Sequence, residues 1–133
     1  MDAKGTREIR FRGKRIDNGE WVEGYFVNLW LIHYQKHQPI ITDNNAVSYD
    51  VDSSTVGQYT GLTDKNGKKI FEGDIMAFTA YGFDYVGTVE FADGSFSVMC
   101  EHASPFLDQA VSKHGAYIIG NMHDNPELLD GAE

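Results

Sequence analysis

The sequence predicts a mainly β protein of short antiparallel strands, with one or two short helices near the carboxyl terminus. Three observations point to the β class. Fourteen glycines stand against three prolines, a balance that suits many short strands and turns. Eight Phe and seven Tyr stand against two Trp, and Val and Ile are frequent, which favours a pleated surface. Apolar residues come in short runs bounded by Asx-Gly turn signals, and helical spacing is scarce. At 133 residues the chain fits a single domain, with room for two small β lobes, about 1–62 and 63–133, around a shared core.

The elements follow in order. Arg7-Glu8-Ile9-Arg10-Phe11-Arg12 alternates charged and apolar side chains, so Ile9 and Phe11 face one way and the arginines the other. Asp17-Asn18-Gly19 is a turn signal, and Trp21 to Val27 reads as the returning strand of an opening hairpin. The stretch from Asn28 to Asn45 is less regular. Leu29 to Tyr34 continues the strand or presents an aromatic surface, Gln35 to Pro39 reads as a turn, and Pro39 to Thr42 as a short strand. Ala46 to Val51 and Val56 to Leu62 are further strands. Asp64-Lys65-Asn66-Gly67 and Ala92-Asp93-Gly94-Ser95 are hairpin turns, because Asn, Asp and Gly tolerate positive φ. Between and after them lie apolar runs at Ile75–Ala80, Tyr85–Phe91 and Phe96–Cys100. Ser104-Pro105 opens a helix with Phe106, Leu107, Ala110 and Val111 at helical spacing and Gly115 as its stop. Ala116 to Gly120 is the last strand, and Asn125-Pro126 starts a terminal helical turn.

Charge is unevenly distributed. The net charge is −9, yet residues 1–15 carry six basic residues (Lys4, Arg7, Arg10, Arg12, Lys14, Arg15) against Asp2 and Glu8. The remaining residues hold five basic and eighteen acidic side chains. A nucleic-acid duplex needs clustered cations, and only the amino-terminal stretch offers them. Cys100 is the single cysteine, so no intramolecular disulfide forms and a reducing compartment is expected. The first residues are too charged for a secretory signal, and the apolar stretch Tyr25–Ile32 is too short to span a bilayer. A soluble cytoplasmic protein without a membrane partner is the expectation.

One segment is dense enough to suggest a family. Val56-Gly57-Gln58-Tyr59-Thr60-Gly61-Leu62, followed by Asp64-Lys65-Asn66-Gly67-Lys68-Lys69-Ile70-Phe71-Glu72-Gly73-Asp74-Ile75, resembles the YopX family of phage and prophage proteins. The opening, Arg7 to Lys14 with Gly19 to Tyr25, resembles the family's start. Ile119-Gly120-Asn121 with Asn125-Pro126-Glu127-Leu128 resembles its closing signature. The resemblance spans nearly the whole chain and implies a mostly β protein with SH3-like barrel or roll elements, and a bacterial host cell. It implies no biochemical activity.

Candidate chemistry is thin. Gly57, Gly61, Gly67 and Gly73 lack phosphate-loop spacing and read as turn and close-approach positions. Asp74 reads as a turn acceptor. His33 and His37 would align only on a helix, where the local pattern is strand and turn. Cys100 and His102 would share a strand face without a third orienting group. Asn121, His123, Asp124 and Asn125 form the densest polar cluster, where His123 has acid–base potential but Asn and Asp are common turn formers. Trp21, Tyr25, Phe26, Trp30 and Tyr34 divide between core and surface.

The expected function is therefore a non-enzymatic phage or prophage accessory protein. It would act through contact with a phage or host protein and could self-associate as a homo-oligomer, with Trp30, Tyr34, Arg10 and Arg12 as interaction candidates. The alternative is nucleic-acid binding by an SH3-like module through the basic amino-terminal strand. No cofactor or metal is expected, and catalysis stands third, for want of a nucleophile, base and stabiliser that converge.

Overall fold

The computed structural model describes residues 8–130 and divides the chain into two compact units, Met1–Tyr59 and Thr60–Glu133. The first contains β1 (Phe11–Lys14), β2 (Trp21–Leu31), β3 (Lys36–Thr42), β4 (Ser48–Asp50) and the start of β5 (Gly57–Thr63). Their order is β4-β3-β2-β1-β5, with β1–β2, β1–β5, β2–β3 and β3–β4 all antiparallel. The opening hairpin closes as its Asp-Asn-Gly signal predicts. Gly19 takes φ 72°, and its N–H donates to the Arg15 carbonyl at 2.9 Å. Ile41 and Val51 are fully buried, and Gly13 lies beneath them, where an added Cβ would press on Ile41, Val51 and Val56.

In the second unit β6 (Lys69–Phe71) lies beside β5. A four-stranded sheet runs β10-β7-β8-β9, from β7 (Asp74–Ala80), β8 (Phe83–Ala92), β9 (Ser95–Met99) and β10 (Tyr117–Asn121). The helix α1 (Leu107–His114) packs on β7 and β9. It begins after Pro105 and stops at Gly115, whose φ of 63° is the left-handed cap that glycine adopts without strain. Asp108 in its first turn and Lys113 and His114 in its last complement the helix dipole. Leu107 and Ala110 from the helix join Ile70, Met76, Phe78, Ala80, Val89, Val98 and Ala116 in one buried cluster. Full burial of each large aliphatic side chain there contributes about 1.5–3 kcal/mol. A short 3-10 turn, Pro126–Leu129, ends the described chain.

The mainly β expectation holds, with two antiparallel sheets and one α-helix among the described residues. The SH3-like character stays an implication of the family resemblance. Two local readings are corrected. The stretch from Asn28 to Asn45 is a regular hairpin: β2 runs on to Leu31, the turn is residues 32–35, and Lys36–Thr42 is strand. Pro39 misled the sequence reading because proline ordinarily breaks a ladder. Here its position on β3 needs no N–H toward β2, and its carbonyl accepts from Val51 N–H at 3.0 Å on the other side. The second correction concerns Cys100. The strand ends at Met99, so Cys100 and His102 lie in the following bend, where Cys100 N–H donates to the Ala103 carbonyl at 2.9 Å.

Candidate functional site

The β2–β3 hairpin outruns its neighbours. β1 pairs with β2 only from Trp21 to Gly24, and β4 pairs with β3 only from Ile40 to Thr42. Beyond those points Leu29↔Gln38, Trp30↔His37 and Leu31↔Lys36 face one another as a two-stranded arm. Alternation sends Tyr25, Val27 and Leu29 to one face and Trp30 to the other. All four are exposed, and so are Ile32 and Tyr34 in the connecting turn, at 75% and 74%. Large apolar side chains are thus gathered on both faces of one ribbon rather than scattered singly over the surface. Trp30 packs on its cross-strand partner His37 with ring centroids 4.9 Å apart, and the Lys36 ammonium lies 5.9 Å from the Tyr34 ring. From Gly24 to Thr42 the chain holds no Asp or Glu, so the arm lies in the longest acid-free stretch of a protein whose net charge is −9.

At the base of the arm the predicted arginines are engaged. Arg10 is 8% exposed, paired with Glu23 at 2.9 Å and bonded to Asn44 Oδ1 at 3.0 Å. The Arg12 guanidinium lies 4.8 Å over the Trp21 ring, with the Lys14 ammonium 5.6 Å from the same ring. Arg15 stacks on Tyr49 at 4.6 Å and makes two hydrogen bonds to Asp17, which hold that carboxyl below its ordinary range. These cations stand on rings and carboxylates of their own unit, where cation–π contact contributes about 0.5–1 kcal/mol at exposed sites. Lys4 and Arg7 lie outside the described residues.

The polar cluster in the second unit resolves into turn chemistry. Asn121 Oδ1 accepts from the His123 and Asp124 N–H groups at 3.0 and 2.9 Å, and its amide donates to Asp124 Oδ2 at 3.1 Å. Asn125 Oδ1 turns back to accept from Asn121 N–H at 3.2 Å, so it does not cap the terminal 3-10 turn with its side chain. The fold brings this loop against the Gly73 turn: Met122 N–H donates to the Gly73 carbonyl at 2.8 Å, and the His123 ring borders Gly73. Asp74, 2% exposed, accepts from Phe71 N–H at 2.8 Å, as a turn acceptor should. Burial pushes the Cys100 thiol up to about 11, so at neutral pH it is a thiol and not the nucleophilic thiolate. Among the described residues no group of three or more His, Cys, Asp or Glu could hold a metal ion, and no helix is long and apolar enough to cross a membrane.

Two features of the second unit escaped the sequence reading. One is a cleft of about 520 Å³ lined by Lys65, Phe78, Thr79, Asp84, Tyr85, His114 and Tyr117. Phe78 stacks on Tyr85 and His114 at 5.2 and 5.8 Å, and the Lys65 ammonium lies 4.4 Å from the Tyr117 ring. Tyr81 adds an edge contact to His114 at 5.7 Å from a left-handed backbone, φ 54°, in the β7–β8 turn. These residues come from β7, β8, α1, β10 and two connecting turns, and no local spacing announces their convergence. The other is Asp64, 5% exposed, whose Oδ2 accepts from Ile118 N–H at 3.0 Å across 54 positions. Burial would raise its pKa, but the N–H groups of Ile118, Lys68 and Asn66 and the charge of Lys68 outweigh it and leave the carboxyl below its ordinary value.

Comparison with known proteins agrees with the geometry. The family model described as YopX protein matches residues 10–130. A crystal structure of protein EF1440 from Enterococcus faecalis is similar at 27% identity and a TM-score of 0.61, covering 94% of this chain and 100% of that one. No curated protein matches the chain in sequence.

Proposed function

The chain belongs to the YopX family, and from that premise we propose that it is a phage or prophage accessory protein that works by binding another protein through the β2–β3 arm. The observation that carries the reading is the arm itself, with Tyr25, Val27, Leu29, Trp30, Ile32 and Tyr34 all exposed on a ribbon free of acidic residues. Aromatic anchors of this kind dominate protein interfaces, where Trp and Tyr supply apolar area at low entropic cost. A binding role, not turnover, also fits the polar groups, since Asn121, Asn125 and Asp74 direct their side-chain oxygens to backbone N–H groups of neighbouring turns. Nucleic-acid binding has less to draw on, because Arg10, Arg12, Lys14 and Arg15 are already stacked or paired.

The test is capture from extracts of prophage-carrying cells, with the wild type and a Trp30→Ala/Tyr34→Ala double variant as baits. The wild type should retain a defined protein that the variant releases, while both give the same far-ultraviolet circular dichroism. Identical captured sets from the two baits would count against the arm as the binding surface.

A further inference from the structure

The backbone of the arm, rather than its rings, identifies a particular partner. In an antiparallel pair, residues alternate between those whose N–H and C=O point at the partner strand and those whose groups point away. The Pro39 carbonyl accepts from Val51 N–H, so Pro39 faces away from β2. Its Cα partner Asn28 therefore faces away from β3, and so do Phe26 and Trp30, two positions to either side. Gly24 belongs to the same series, and there β1 takes up the edge through Phe11. Beyond Gly24 no described strand pairs with this edge. Phe26, Asn28 and Trp30 present a row of outward backbone donors and acceptors.

Open edges invite another strand, and proteins commonly blunt them with Pro, charge or a bulge. The far edge of the arm is blunted in that way: along β3, Pro39 has no N–H to offer and Lys36 lies at the end. The β2 edge has no such device. From Tyr25 to Leu31 it carries no charge, no proline and a continuous register with β3. A two-stranded ribbon exposed on both faces is marginal on its own, and further strands would stabilise it.

We propose that the β2 edge pairs with the β2 edge of a second copy of this chain, antiparallel and centred on Asn28. The sequence is self-complementary about that residue. With Asn28 opposite Asn28 of the second copy, Val27 meets Leu29, Phe26 meets Trp30 and Tyr25 meets Leu31. Each apolar side chain faces an apolar one, and the single polar residue faces itself. Cross-strand aromatic and aliphatic pairs are the unit of sheet stabilisation. Moving the centre by one residue, to Leu29, would set Asn28 opposite Trp30 instead. Charge favours the same edge, because two copies of a −9 chain repel, and the segment from Gly24 to Thr42 brings no carboxylate to the contact. Closure by a two-fold axis consumes both copies' open β2 edges, so the assembly stops at a dimer.

This pairing rests on the arm being the binding surface, and the experiment separates the two. Sedimentation velocity over a concentration series should give a dimer for the wild type and for the Trp30→Ala/Tyr34→Ala variant at higher concentration, and a monomer for Asn28→Pro. The Asn28 N–H points outward, so its loss removes the intermolecular bond and leaves the β2–β3 ladder intact. In a Cys100→Ser background, Asn28→Cys should form an intermolecular disulfide on mild oxidation, and Gln38→Cys, whose backbone faces β2, should not. A wild type that stays monomeric throughout, or a Gln38→Cys variant that cross-links as readily as Asn28→Cys, overturns the self-pairing. If that monomer still captures a foreign protein through Trp30 and Tyr34, the binding surface stands and only its occupant was misassigned.

Discussion

The turn from Asp43 to Val47 in the first unit and the turn from Asp64 to Lys68 in the second close on the same four hydrogen bonds. Asp43 N–H donates to the Val47 carbonyl at 2.9 Å and Ala46 N–H to the Asp43 carbonyl at 3.0 Å, while Asp43 Oδ1 accepts from Asn45 and Val47 N–H at 2.9 and 3.0 Å. Around Asp64 the corresponding distances are 2.9, 3.0, 2.9 and 3.0 Å, to Lys68, Gly67, Asn66 and Lys68. What differs is the second carboxylate oxygen. Asp43 Oδ2 meets the Tyr49 hydroxyl at 3.4 Å, still within its own hairpin. Asp64 Oδ2 reaches the backbone of β10. One piece of local chemistry thus serves as a plain chain reversal in one unit and as a long-range clasp in the other.

The largest test of that difference is removal of the clasp. Asp64→Ala strips the acceptor from three N–H groups, Asn66, Lys68 and Ile118. Leaving the half-buried Ile118 donor unsatisfied costs about 1–3 kcal/mol, and losing the two turn bonds, which water partly replaces, about 1 kcal/mol more, so a loss of roughly 2–4 kcal/mol is expected in urea unfolding. Acid should act in the same direction. The folded-state pKa of Asp64 lies below its ordinary value of 3.8, so its stabilisation is fully present above that value. It is lost as pH falls through the folded-state pKa. Stability measured from neutral pH down into that range should therefore fall more steeply for the wild type than for Asp64→Asn, which holds no titrating carboxyl. Parallel curves for the two proteins would remove Asp64 from the account of acid sensitivity.

How much of this was legible in the sequence follows from the range over which each signal acts. Asn-Gly, Asp-Gly and the Pro105 and Gly115 helix limits are read within a few residues, and the opening hairpin, the Asp64 turn and α1 form where those signals fall. The exposed rings of Trp30 and Tyr34 were likewise among the residues the sequence singled out. The arm's regularity was hidden because Pro39 breaks a strand only if its missing N–H is needed, and that depends on which neighbour it faces. The Asp64–Ile118 bond and the Lys65–Tyr117 contact join β10 to a turn more than fifty positions earlier. No spacing rule reports such pairs, since they are set by how the sheet closes. Arg10 shows the same limit: alternation sets the arginines opposite Ile9 and Phe11, but only the fold shows Arg10 covered by Glu23 and Asn44.

A smaller effect is expected from Asp43→Ala. Its two Oδ1 bonds lie in an exposed turn where water replaces the lost acceptor, so the net cost is about 1 kcal/mol. Urea midpoints of Asp43→Ala and Asp64→Ala, taken side by side, sharpen the comparison directly. Equal losses would mean that the β10 contact adds nothing, and that the two turns are the same device after all.

The finest test exchanges the one residue in which the turns depart from each other in backbone preference. Gly67 has φ 81° and Ala46 has φ 63°, both left-handed. An alanine there costs roughly 1–2 kcal/mol, partly offset by the lower chain entropy that alanine brings to the unfolded state. Ala46→Gly should therefore stabilise the protein, and Gly67→Ala should destabilise it, each by about 0.5–1 kcal/mol. Nothing lies within 4 Å of a Cβ built on Gly67, so steric pressure cannot add to its cost. If backbone preference is the whole difference, the two changes are equal and opposite, and the double variant unfolds at the wild-type midpoint. A net loss in the double variant would show that Gly67→Ala also disturbs the Asp64 clasp, which Ala46→Gly has no counterpart to repair.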